Sequence, residues 1–293
     1  MPKLTKFLAI LFILLSFTAN ASTDKQDLPL APLRIGLTPV FLDDQAAFLN
    51  KWRDYLQHKL ERPVIFVQRG SYREVVDLLR DGKLEFAWLC GYPYIRNKRQ
   101  FHLVAVPLYQ DEPVYHSYLI VPATDTKTTS LADLRGKVFA FSDPDSNSGY
   151  LYTAYLLAKQ GAMPATYFSK SFYTWSHRKV VEAIAAGLAQ GGSVDGYVWD
   201  TLSRTHPELT SRTRVVNESP KFGFPPIVSS RSVSKHDIAS LQEVVTQMKY
   251  DKEGAYLLNE FNLNGFVPGN PHLFDSISDM YHFVEQMRTH AAP

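Results

Sequence analysis

Residues 130–151 read SLADLRGKVFAFSDPDSNSGYL, and the reading of the fold turns on this stretch. SLADL is a short helical lead-in, VFAF (138–141) is an apolar run of strand length, and SDPDSNSG (142–149) is a polar loop of turn-forming residues. From Gly149 to Gln160 the placing of Tyr152, Tyr155, Leu156 and Leu157 predicts a helix. A buried strand feeding through a polar loop into a helix is the working unit of an α/β sheet. The loop also carries chemistry. A helix N-terminus has unpaired backbone N–H groups and the positive end of the macrodipole, which together favour an anion. Ser146 and Ser148 add hydroxyl donors beside those amides, and Gly149 permits a close backbone approach. On the residues alone, a serine that only caps the helix is the alternative. The alternation of Asp143, Asp145 and Asn147 suggests a calcium loop. An EF-hand, however, needs glycine sixth and glutamate twelfth, where this chain has Ser148 and Ala154, so no metal is expected.

The same alternation extends in both directions. Upstream, LRIGL (33–37), PVIFV (63–67), LEFAWL (84–89) and LVAVPL (103–108) read as strands. Between them lie a helix over 45–60, stopped by Pro63, and a helix over 72–80 that Ser71 can cap. The pattern restarts with YLIVP (118–122) and continues past VFAF to a helix over 178–187, a strand DGYVW (195–199) and a short helix over 201–206. The remainder, from IVSS (227–230) through helices over 238–248 and 274–287, is too small to stand alone and is expected to pack on the first unit. The expectation is an α/β protein with largely parallel sheets in two lobes, a discontinuous one (33–121 plus 218–293) enclosing a continuous one (122–217), with a cleft between them. Pro225 and Pro226 would stiffen one of the two crossing strands.

Lys3 and Lys6 precede an apolar run, Phe7 to Phe17, and Ala19-Asn20-Ala21 offers a small-x-small cleavage site. That is the layout of a secretory signal peptide over 1–21, followed by a polar linker over 22–32. No later stretch is long enough to span a membrane, so the mature chain is expected to be soluble. Net charge is +2, from 31 Lys and Arg against 29 Asp and Glu, and falls to zero without Lys3 and Lys6. Neither the balance nor any basic block points to nucleic acid. Cys90 is the only cysteine, which excludes an internal disulfide and reads as a buried structural thiol.

The order of segments resembles the type 2 periplasmic binding proteins, specifically the phosphate/phosphite/phosphonate-binding family of ABC transporter components. The resemblance runs from Leu33 to Met287 through LRIGLTP, SYREVVDLLRDGKLEFAWL, SLADLRGKVFAFSDPDSNSGYL, the Ser176-His177 pair and AIAAGLAQGGSVDGYVWD. It implies that Ser146, Asn147 and Ser148 grip the oxygens of a small phosphonate-like oxyanion (phosphonate, phosphite or phosphate), although the family usually has threonine where this chain has Asn147. It further implies ligand contacts from His177 and Tyr72, and places Asp195, a candidate ligand-binding residue, at the start of the second lobe's last strand. Protonation of His177 would make affinity fall as pH rises past about 6.5. Tyr92 or Tyr94 would line the cleft. Asp200 could meet a ligand amine, and Tyr150, Tyr173, Trp175, Tyr197 and Trp199 could meet an organic substituent. The implied protein is periplasmic, a monomer by default, needs no cofactor, and delivers its ligand to a membrane permease or presents it to a membrane sensor. Ser146, His177 and Asp195 could also be strung into a hydrolytic triad, but there is no G-x-S-x-G elbow, dinucleotide loop or GK[ST] loop, and catalysis is not expected.

Overall fold

A computed structural model describes residues 30–39 and 46–291. The expected signal segment, 1–21, and residues 22–29 of the linker lie outside the described residues. The chain lays down β1 (Leu33–Leu37), β2 (Val64–Gln68), β3 (Phe86–Trp88) and β4 (Phe101–Leu108). Next come a two-residue strand β5 (Val114–Tyr115), then β6 (Ser117–Pro122), β7 (Val138–Phe141), β8 (Lys170–Tyr173), β9 (Gly191–Asp195) and β10 (Thr213–Glu218). A second two-residue strand, β11 (Phe222–Gly223), leads to β12 (Ile227–Ser230) and β13 (Gly265–Pro268).

Two large sheets result, ordered β13-β4-β12-β3-β1-β2 and β10-β6-β9-β7-β8, with a two-stranded third, β11-β5. The parallel pairs β1–β2 and β1–β3 in the first, and β7–β8 and β7–β9 in the second, follow the strand–helix alternation. The pairing elsewhere is antiparallel, which corrects the expectation of largely parallel sheets. The cause is connectivity. β12 arrives from the other sheet, not over a helical crossover, and is inserted antiparallel between β3 and β4. β6 enters the second sheet the same way, antiparallel to β9 and β10. Residues 117–121 therefore join the second sheet by their pairing, although the sequence grouped them with the first unit. Between the sheets, β5 and β11 pair antiparallel, Tyr115 opposite Phe222.

Each sheet has an aromatic core. Trp52, from the helix Ala46–Leu60, packs at 4.9 Å from Phe66, 5.7 Å from Trp88 and 5.0 Å from Phe261. In the second sheet Phe139 stacks on Phe168 at 4.3 Å, and Phe141 meets Tyr150 edge-on at 5.2 Å. Both geometries suit the aromatic quadrupole. The Pro225 and Pro226 carbonyls accept hydrogen bonds from Trp88 Nε1 (2.8 Å) and Leu89 N (2.9 Å), tying that proline pair to the end of β3. The C-terminal helix Asp275–Ala291 does more than pack on the first unit. Its Tyr281 meets Tyr92, and its Phe283 meets Tyr155 of the second unit's helix Tyr152–Ala158. DGYVW is not a strand. β9 is the small-residue run GGSVD, and Asp195 caps a helix, Gly196–Thr205, by accepting from Val198 N at 3.4 Å.

Candidate ligand-binding site

The loop after β7 is built to expose donors inside the protein. Asp143 Oδ1 accepts from Asp145 N at 2.7 Å while Ser146 N donates to Asp143 O at 2.9 Å, an aspartate-centred turn. Ser146 then caps the helix, its Oγ accepting from Gly149 N at 3.0 Å. The first turn is wider than an α-turn. Leu151 N reaches back to Ser146 O (2.9 Å), and Asn147–Leu151 forms a π-turn before the α-helix Tyr152–Ala158 begins. Ser146, Asn147 and Ser148 are completely buried. Gly149 is required by space, not by φ. A Cβ there would lie 1.8 Å from Ser142 Oγ and 3.0 Å from His177 Cε1.

Around this turn the second sheet supplies a histidine in a fixed tautomer. His177, at the start of the helix His177–Ala185, accepts at Nδ1 from Asp195 N (3.0 Å). Nδ1 therefore carries no proton, and Nε2–H is the donor, 3.4 Å from Ser146 Oγ. Burial pushes this imidazole down to about 3. It is a neutral donor throughout the physiological range, which corrects the expected protonation switch near pH 6.5. Asp195 is buried too, and burial pushes its carboxyl up to about 8 against the opposing backbone N–H groups of Val198 and Tyr197.

The first sheet and the crossing strands close the other side. Cys90, just past β3, accepts from Asn147 N at 3.3 Å, and Tyr115 on β5 accepts from Asn147 Nδ2 at 3.0 Å. Tyr72 is buried, with its phenol in electrostatic reach of Cys90, Asp143, Asp195 and Tyr115, and its backbone N donates to Asp143 Oδ2 at 3.1 Å. Burial raises both phenols, so Tyr72 and Tyr115 keep their protons. Burial also pushes the Cys90 thiol up to about 11. At the rim, Asp145 is held by Arg96 (2.6 Å) and Arg73 (3.3 Å), and Tyr150 accepts from Arg288 at 2.6 Å. Inside this shell, Ser142 Oγ, Ser148 Oγ and Asn147 Oδ1 are buried and complete no hydrogen bond of ordinary length, Ser148 Oγ lying beside the Tyr115 hydroxyl. Buried polar atoms are nearly always paired, and three unpaired ones in the loop 142–149 could take the polar atoms of a small molecule. With neutral histidine, protonated phenols and free hydroxyls, the cluster is rich in donors and carries no fixed cation, which suits a small oxyanion held by hydrogen bonds.

The structure thus brings together six of the residues singled out from sequence: Tyr72, Ser146, Asn147, Ser148, His177 and Asp195. It sets the ring of Tyr92 apart, 5.6 Å from Tyr281 and beneath the Arg96 guanidinium, although its backbone N–H lies by Cys90 Sγ. Tyr94 packs on Phe274. Asp200 accepts from Tyr109 (2.6 Å) and Tyr118 (3.1 Å) beside a different cavity of about 590 Å³ that the 142–149 loop does not line. Tyr197 and Trp199 are committed to Phe261 O and Thr213 Oγ1, while Tyr150, Tyr173 and Trp175 form a row of rings 5.8 and 6.0 Å apart. Ser142, Cys90 and Tyr115 are the members that sequence reasoning missed as site residues. Tyr115 had no signal except its place just before a restart of the strand pattern.

Comparison with known proteins gives the family and the fold. Residues 35–274 match the family described as ABC transporter, phosphonate, periplasmic substrate-binding protein. The phosphate-import protein PhnD of Mycolicibacterium smegmatis is 26% identical over 160 residues, 50% of this chain, and the chain spans about half (48%) of that relative's length. A binding protein component of an ABC phosphonate transporter from Pseudomonas aeruginosa superposes with a TM-score of 0.81 at 20% identity, covering 89% of this chain and 88% of that one. PhnD1 from Prochlorococcus marinus, solved with methylphosphonate, superposes with a TM-score of 0.78 at 18% identity, covering 87% and 98%. These likenesses at low identity establish the type 2 periplasmic binding fold, and the family match covers most of the chain. The chain belongs to the periplasmic substrate-binding proteins of phosphonate ABC transporters, a family of binding proteins and not of enzymes.

Proposed function

We propose that this protein captures a small phosphorus oxyanion, of the phosphonate, phosphite or phosphate class, at the turn 146–149 and delivers it to a membrane permease. In this reading the two sheets are the cores of two lobes, β5 and β11 are the hinge, and the turn forms one wall of the cleft. Residues 1–21 would direct export. The observation that carries the proposal is the buried trio of unpaired polar atoms on Ser142, Asn147 and Ser148, next to the His177 Nε2 donor and the Tyr72 phenol. A ligand seated there would draw donors from both lobes, so it binds the closed form best and shifts the population towards it. A permease that recognises both lobes would then read the closed state.

Thermal shift of the mature chain against phosphate, phosphite, methylphosphonate, 2-aminoethylphosphonate and sulfate tests the ligand class. A ligand at 100 times its Kd adds about 2.7 kcal/mol to stability. A raised midpoint with at least one phosphorus oxyanion, lost in Ser146→Ala, is the expected result. No shift with any of them would overturn the ligand class while leaving the fold in place.

A further inference from the structure

The two ends of the Asn147 amide are treated differently. Nδ2 donates to the Tyr115 hydroxyl at 3.0 Å, which gives that end of the amide its partner. Oδ1 is buried and has no partner. The backbone N–H of the same residue is already engaged by Cys90 Sγ at 3.3 Å. A turn whose other free groups are hydroxyls, able to donate, therefore also holds one group that can only accept. Ionised oxygens repel a carbonyl oxygen, and an anion with no proton would leave Oδ1 buried and unpaired. An acid hydroxyl on the ligand would satisfy it.

We propose that Asn147 selects a ligand still carrying one acidic proton, a singly ionised phosphonate or phosphite, over oxyanions of equal charge that carry none, such as sulfonates. The selection rests on the oxyanion reading above and assigns it a narrower substrate class. It acts through the ligand's proton, so discrimination requires no change of charge on the protein.

Methylphosphonate and methanesulfonate are the matched probes. At about pH 5.5, below the second ionisation of a phosphoryl group at roughly 6, they share charge and shape and differ by one proton. Calorimetric titration of the wild type is expected to give at least tenfold tighter binding of methylphosphonate, the scale of one unpaired buried acceptor. Asn147→Thr and Asn147→Ser put a hydroxyl that both donates and accepts in place of the carbonyl, and each is expected to narrow the ratio to within about threefold. Ser148→Ala should weaken both probes and keep the ratio. A wild-type ratio near one, or a ratio unchanged in both folded Asn147 variants, overturns the proposal. If methylphosphonate binds without discrimination, only the selection falls. If no phosphorus oxyanion binds at all, the ligand class falls with it.

Discussion

Replacing Gly149 by alanine would set a methyl carbon 1.8 Å from Ser142 Oγ, 2.8 Å from Ser142 Cβ and 3.0 Å from His177 Cε1. A relaxed contact is roughly 3.5 Å, so the hydroxyl must retreat by about 1.7 Å. Rotation of Ser142 could move Oγ, which has no hydrogen bond to lose, but it cannot move Cβ. The backbone of Ser142 is pinned by its bond to Gly149 O (3.3 Å) and by Trp175 N on its own carbonyl (2.6 Å). The strain must therefore pass into the turn. Overpacking of this kind costs about 1–3 kcal/mol, and for a chain of this size each kcal/mol lowers the melting midpoint by roughly 2–4 °C. Because the displaced groups include Ser142 and His177, oxyanion affinity should fall by more than about tenfold. Ser142→Gly in the same chain removes the two shortest contacts, so the double variant should recover at least half of the lost stability, a coupling expected only of touching residues. Thermal melting and calorimetric titration read both quantities. A Gly149→Ala protein that melts and binds as the wild type does, or a strictly additive double variant, would refute the packing argument.

Other outcomes follow from the same geometry. Ser71 and Glu74 form a reciprocal capping box at the helix Tyr72–Arg80 (3.3 and 3.1 Å), so Ser71→Ala should cost about 1 kcal/mol in urea unfolding. It should also weaken ligand binding, because the helix begins at Tyr72. Arg96→Ala removes the shorter of the two bonds to Asp145. With Arg96 half exposed to solvent, the loss should be about 1 kcal/mol or less, and smaller in high salt. Asp195 titrates at about 8 when folded and near 3.9 when unfolded, so between those values the folded chain keeps a proton that the unfolded chain has lost, and stability falls as pH rises. His177, at about 3 when folded and 6.5 when unfolded, contributes the opposite slope below about pH 6.5. A net loss of stability should therefore emerge between about pH 6.5 and 8, and Asp195→Asn should remove it. Urea midpoints that are the same for the two proteins across that window would contradict the assignment.

Much of the site was legible because its chemistry is local. The strand VFAF, the turn 142–149 and the helix after it are continuous in sequence, so Ser146 and Ser148 could be placed from spacing and helix-terminus physics, and Asn147 through the family resemblance. His177 and Tyr72 were legible through the family resemblance and their places at helix starts. Ser142, Cys90 and Tyr115 were not: the free hydroxyl of Ser142 shows only in the folded loop, Cys90 lies between β3 and the next helix, and Tyr115 is on a two-residue strand too short to leave a periodic signal. Tyr92 and Tyr94 were indistinguishable from sequence, since which ring faces the C-terminal helix depends on the first turn of the helix Gly91–Asn97. Asp195 was read as opening a strand because DGYVW is apolar, whereas it closes β9 and caps the next helix. The antiparallel insertions of β6 and β12 follow from chain reversal between the sheets, which no local pattern encodes.

The account's central claim is that the turn 146–149 holds the ligand, and Ser148→Ala tests it most directly. Ser148 Oγ completes no hydrogen bond of ordinary length and lies beside the Tyr115 hydroxyl, so its removal should lower the melting midpoint only slightly. A hydrogen bond to a charged ligand contributes about 1.5–3 kcal/mol, and calorimetric titration with the phosphorus oxyanion that binds the wild type should show affinity reduced by roughly 10- to 150-fold. Full wild-type affinity in a folded Ser148→Ala protein would contradict the claim and move the ligand to another part of the molecule.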